Sequence, residues 1–228
     1  MASWMIHLRV AQEICKKISL PIQHFILGNI APDSGVPAPD GKTYLPDKDV
    51  SHFAVTDENG RMYNGEEDFI NGYLLPALRS QKSAESMAFY IGYLAHLYAD
   101  NEWIEHIYEL GKTRLSDLRA QSKVLFAQRL KIDWYGLDFL FLQNNPDFEA
   151  YRIYKEMECM ENHYVDFFAP DAFANRKAYI LDFYAQGVAT QLQADEFYLS
   201  PQELTSFVEA TARGFWERYG ELIERCEV

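Results

Sequence analysis

Apolar residues recur every three or four positions through most of this chain, the spacing that gathers them on one face of an α-helix. Ser3 stands where an N-cap belongs. Ile6, Val10, Ile14 and Ile18 then make a four-residue stripe, which predicts a first helix to about residue 19 with His7 in its first or second turn. A short apolar segment over 21–30 leads into a loop marked by Pro32, Pro37, Pro39 and Pro46, with Gly35 and Gly41 among them, and Asn59-Gly60 marks a turn. Helical patterns resume over 66–79 and 83–110, then over 114–130, 134–143, 148–163, 171–192 and 201–226. No run alternates as a strand with hairpin turns, and no long period repeats. The expectation is an all-α, bundle-like fold with residues 1–228 in a single domain.

With 48% hydrophobic and 24% charged residues, fifteen Tyr, fifteen Phe and four Trp, the chain has ample apolar surface to bury. Trp4, Trp103, Trp134 and Trp216 are read as core or wall residues. The formal charge of −13 repels long polyanions, so sequence-independent nucleic-acid binding is not expected. A bound divalent cation reverses that sign locally and leaves small phosphate ligands open. Cys15, Cys159 and Cys226 are odd in number and lack zinc-type spacing, as expected of reduced thiols. The first residues show no basic segment followed by an apolar run, and no stretch reaches membrane-spanning length, so the expected setting is cytoplasmic.

The strongest local signal for chemistry is His96 and Asp100, four residues apart in the apolar run 89–100 and therefore on one helix face. An imidazole and a carboxylate one turn apart can share a divalent ion, and a buried carboxylate needs such a partner to stay charged. The pair alone is also what a satisfied core histidine beside a carboxylate looks like. Other segments add to it: Trp4-Met5-Ile6-His7-Leu8, Gly28-Asn29-Ile30-Ala31-Pro32-Asp33, Ser51-His52-Phe53 with the following turn at 57–63, and Thr211 to Gly220. In their order and spacing these resemble the zinc-dependent phospholipase C family, over most of the chain and most densely before Leu110.

The resemblance implies an all-helical fold and one to three zinc ions. It assigns one ion to Asp33, His52, His96 and Asp100. A second would share Asp100 and use His7 with a terminal amine, which three residues ahead of Trp4 make hard to supply. The family's remaining ion takes a histidine ten residues after the helical one, where His106 stands. An unbroken helix carries His106 roughly 15 Å from His96, beyond the reach of one ion. The family's His-x-x-x-Glu pair has no counterpart, and Asp133 or Asp138 are the places to look for a substitute. His24 and His163 sit in no motif and are read as structural. A nitrogen and oxygen donor set suits zinc and excludes a thiolate site.

The implied activity is hydrolysis of a phosphate ester or phospholipid by zinc-activated water, with Asp33 as general base. Two alternatives stay open: a nuclease or nucleotidase of the same superfamily, and a metal-binding helical protein that kept the fold without the chemistry. Phosphohydrolases defined by an adjacent His-Asp pair are excluded, since that dipeptide does not occur.

Overall fold

The structure is a computed structural model that describes residues 1–38, 43–58, 60–158, 161–187 and 197–227. The Ser3 hydroxyl accepts the Ile6 amide and starts α1 (Trp4–Cys15). This helix ends at Cys15, short of residue 19, and Pro21 then stands at the N-cap of the next helix. Next come α2 (Ile22–Ile30) and a 3-10 turn, Ala31–Asp33. Two antiparallel ribbons follow, β1 (Val36–Pro37) with β2 (Tyr44–Leu45) and, after α3 (Lys48–Ser51), β3 (Ala54–Thr56) with β4 (Met62–Asn64). Strands of two or three residues are too short to leave an alternating pattern. Pro39, Gly41, Asn59 and Cys159 lie outside the described residues.

The segment expected at 66–79 is α4 (Glu66–Phe69), a π-helical turn at Ile70–Leu74 and α5 (Leu75–Arg79). The long helix expected from residue 83 is α6 (Ala84–Glu102), which continues through a π-helical turn at Trp103–Tyr108 into α7 (Glu109–Arg114). Two expectations need correction. The stretch read as helices at 114–130 and 134–143 is α8 (Ser116–Gln121) and an unbroken α9 (Lys123–Asn144), and the helix expected at 148–163 stops early, as α10 (Glu149–Glu156). Buried Asp133 and Asp138 interrupt the apolar pattern of α9 without interrupting its backbone. Then come α11 (Ala172–Gln186) and α12 (Pro201–Glu224), the latter opened by a reciprocal capping box between Ser200 and Glu203. The prediction for 188–192 falls outside the described residues.

Helix α6 is buried at every position from Met87 to Asp100, so it lies inside the fold with no solvent face. Its closest neighbour is α2, and two glycines set the approach. A Cβ on Gly28 would come within 2.0 Å of the Phe89 carbonyl oxygen, and one on Gly92 within 2.0 Å of that of Phe25. Only glycine at both positions lets the backbones touch. Helix α1 packs against both α2 and α12, and buried apolar residues from Ala2 to Cys226 join in the core. The architecture is all-α with two small ribbons, and no helix among the described residues is long and apolar enough to cross a membrane. Cys15 and Cys226 are free, and burial pushes their thiols up to about 12 and about 11, which leaves them unreactive.

Candidate metal centre

Residues far apart in sequence meet where α1, α2, α3 and α6 converge. His7 comes from the second turn of α1, Asp33 from the turn after α2, His52 from the residue after α3, and His96 and Asp100 from successive turns of α6. His7 Nε2 is 3.3 Å from Asp100 Oδ1, and His96 Nε2 is 3.5 Å from Asp100 Oδ2. His52 Nε2 lies 3.7 Å from Asp100 Oδ2 and 3.8 Å from Asp33 Oδ1. The His7 and His96 rings stack with centroids 3.8 Å apart. Two overlapping groups result, His7 with His96 and Asp100, and Asp33 with His52 and His96, each close enough in its donor atoms to hold a divalent ion.

The neighbours of the two later histidines fix which ring nitrogen is free. His96 Nδ1 is 2.8 Å from the Asn29 carbonyl, so it carries the proton and donates it there. His52 Nδ1 faces the Lys48 carbonyl at 3.2 Å and donates likewise, with the Ser51 hydroxyl at 3.0 Å. The two Nε2 atoms, left as lone pairs, then face each other 3.3 Å apart inside the protein with the Asp100 carboxylate beside them. Neither ring nitrogen of His7 nor Asp100 Oδ2 has a well-formed hydrogen bond in this fully buried space. Facing lone pairs and orphaned carboxylate oxygen repel one another unless a cation lies among them. A histidine that donates its far N–H to a backbone carbonyl is also the usual companion arrangement of a metal ligand. The donor set therefore fits zinc.

Local structure holds each group in place. The Asn29 carbonyl reaches His96 because Asn29 follows Gly28 at the α2–α6 contact. Tyr93, one turn before His96, donates its hydroxyl to the Ser51 carbonyl at 2.5 Å and so fixes the end of α3. Phe53, next to His52, adopts a left-handed backbone (φ 53°) and packs among Phe69, Tyr73, Tyr93 and Phe167. The Ala2 amide donates to Asp100 Oδ1 at 2.6 Å.

Charge follows geometry. Burial alone would raise the Asp33 carboxyl, but the Lys48 ammonium 3.4 Å away, with His96 and His52, holds it well below the usual carboxylate range. Burial would likewise raise Asp100, and the amino-terminal ammonium with the His7 and His96 imidazoles outweighs it. Burial lowers His52 to about 4, with His96 adding to the effect, and burial then His7 lower His96. At neutral pH both carboxylates are charged and both imidazoles neutral, the forms that bind metal.

The structure does not bring His106 into this cluster. It lies on the surface along the unbroken α6–α7 helix, 60% exposed, with Glu102 3.3 Å away. Asp133 accepts the Tyr198 amide at 2.8 Å and pairs with Arg129, while Asp138 accepts the Ser3 and Tyr184 hydroxyls, each at 2.8 Å. Neither substitutes for a third-ion ligand. His24 and His163 lie outside both groups. Sequence reading missed Lys48, although its place four residues before His52 was a helical-face signal, and it missed the backbone groups of Ala2 and Asn29, which no residue type announces.

Burial pushes the Asp138 carboxyl up to about 7, against the pull of Ser3, Tyr184 and Arg9. Folded protein thus keeps that proton where an unfolded chain releases it near pH 4, so this residue's contribution to stability is full below pH 4 and is lost as pH rises to about 7. The Asp138→Asn variant lacks that titration. In urea unfolding, wild-type stability relative to the variant should fall between pH 4 and 7 by roughly 4 kcal/mol at most, the linkage expected when one carboxyl holds its proton across that range. A difference that stays level with pH would overturn this reading.

A cavity of about 610 Å³ opens beside the cluster, and Asp33 and Lys48 stand on its wall together with Ala2, Trp4, Trp134 and Arg176. No significant match to a curated protein or to a solved structure was found. The family model for zinc dependent phospholipase C matches residues 4–182, a span that holds all five clustered residues and stops within α11. That match covers well over half of the chain, which therefore belongs to the zinc-dependent phospholipase C family.

Proposed function

We propose that this protein hydrolyses small phosphate esters, phospholipids foremost, at a zinc centre held by Asp33, His52, His96 and Asp100 with His7 alongside. The observation that carries this reading is the meeting of three imidazoles and two charged carboxylates, with unpaired donor atoms, at the edge of a cavity. Zinc bound there supplies neutralisation of phosphate charge and acidification of water. Asp33, charged and only 8% exposed in its side chain, orients that water and accepts its proton. Lys48 tethers Asp33 at the cavity wall. Exposed Val36 and Tyr44 on the β1–β2 ribbon also line the cavity, and an apolar rim suits the acylglycerol part of a phospholipid. His106 has no part in this scheme. The charge of −13 favours a small ester over a polynucleotide.

The test is elemental analysis for zinc, followed by assay of the zinc-loaded chain on bis(p-nitrophenyl) phosphate, phospholipid micelles and a single-stranded oligonucleotide. Turnover of the first two supports the proposal. Faster cleavage of the oligonucleotide would favour a nuclease, and zinc binding without turnover of any substrate would favour a non-catalytic metal protein.

A further inference from the structure

The cavity beside Asp33 carries an uneven charge. Three cationic side chains stand on its wall, Lys48 near the cluster, Arg176 from α11 and Lys131 from α9, and Asp33 is the one carboxylate among the described lining residues. Lys48 is engaged with Asp33. Among the described residues, Arg176 and Lys131 have no carboxylate partner. Arg176 donates to the Gly35 carbonyl at 2.5 Å and leaves its buried Nε without a hydrogen bond. In a chain of net charge −13, two unneutralised cations on one concave wall are a local reversal of sign.

The aromatic groups on the same wall point the same way. Open ring faces would attract a quaternary ammonium. Here the protein's own cations cover three of the five: the Arg176 Cζ lies 5.6 Å from the Trp4 ring centre and 5.2 Å from that of Tyr179, and the Lys48 Nζ lies 5.4 Å from that of Tyr44, whereas among the described residues Trp134 and Tyr135 have no cation over them. A choline or ethanolamine head group entering the cavity would meet three occupied rings, two cations without a carboxylate partner and no spare carboxylate.

We propose that this cavity selects net-anionic phosphate esters, with no cation on the head group, over zwitterionic ones, and that Arg176 and Lys131 set the preference. The proposal rests on the phosphate-ester reading above, and it predicts binding as well as turnover. The probes are glycerol 3-phosphate and phosphocholine, which share a phosphomonoester and differ in the quaternary ammonium. Each is titrated into the zinc-loaded full chain and followed by the fluorescence of Trp4 and Trp134 in the cavity wall. Glycerol 3-phosphate should bind about tenfold more tightly, a gap within reach of two nearby unit charges. Lys131→Gln changes an exposed side chain and should narrow the ratio while leaving the fold intact. Arg176→Gln should narrow it further.

In the activity arm, phosphatidylglycerol should be hydrolysed faster than phosphatidylcholine in the same micelles. A binding preference without hydrolysis of either lipid would keep this proposal and sink the hydrolase reading. Phosphocholine binding as tightly as glycerol 3-phosphate, or a ratio unmoved by both variants, would overturn the proposal itself.

Discussion

The Asp33→Asn variant should lose roughly 10²- to 10⁴-fold in turnover of a phosphodiester while keeping its fold, the loss expected when a positioned general base is removed. Asparagine matches aspartate in shape and keeps one oxygen toward His52, yet it cannot take up a proton. The residue closes the 3-10 turn Ala31–Asp33 after α2, directly behind Pro32, so little backbone adjustment follows the exchange. Its neighbours keep it ionised, since Lys48 and the two imidazoles hold the carboxylate charged despite burial, which readies it to orient water. The measurement is kcat on bis(p-nitrophenyl) phosphate for zinc-loaded wild type and variant, with circular dichroism and zinc content alongside. Near-wild-type turnover in a variant with normal zinc content would remove Asp33 from the mechanism. A fall in turnover matched by an equal fall in zinc would make it a ligand only.

Removing divalent cations should lower the melting temperature by about 8–16 °C, because a ligand at a thousand times its Kd stabilises the folded state by about 4.1 kcal/mol and each kcal/mol moves a protein of this size by about 2–4 °C. The stripped cluster keeps facing lone pairs on His52 and His96 at 3.3 Å and an unpaired Asp100 oxygen, so nothing in the protein replaces the lost charge. A pH effect of known sign accompanies this. Burial holds folded His52 at about 4 against an ordinary 6.5, so its contribution to stability is present above pH 6.5 and is lost as pH falls toward 4. In the Asp138→Asn background, where the opposing titration of that carboxyl is absent, the stripped protein should therefore melt lower at pH 5 than at pH 7.5. Thermal unfolding with and without a chelator, at both pH values, checks the pair of effects. A melting temperature indifferent to chelation, in protein shown to have held zinc, would mean that the ion lies elsewhere.

What could be read in advance divides by physical range. Ser3 announced a helix start because a cap acts on an amide three residues away, and Ser83 and Ser200 cap α6 and α12 in the same way. His96 and Asp100 announced a shared face for the same local reason. That His7, Asp33 and His52 reach the same point could not be had from spacing. It depends on how closely α2 crosses α6, and was legible only through the likeness of their segments to a known family. Helix α9 was misread as two because Asp133, buried on a partner from a distant segment, looks from the sequence like a solvent position. The π-helical turns at Ile70–Leu74 and Trp103–Tyr108 left no compositional trace. Lys48, Asn29 and Ala2 contribute through a single charge or through backbone atoms, so nothing in their side-chain type marks them as part of the centre.

The close crossing of α2 and α6 at Gly28 and Gly92 binds two properties that are usually separable. The carbonyl that holds the His96 ring belongs to the residue beside that contact, so the spacing of the helix pair also decides which imidazole nitrogen is left to donate electrons. Core density and the placement of the His96 ring are in this chain one variable, and a methyl group added at the crossing would be felt among the five clustered side chains before it disturbed the surface.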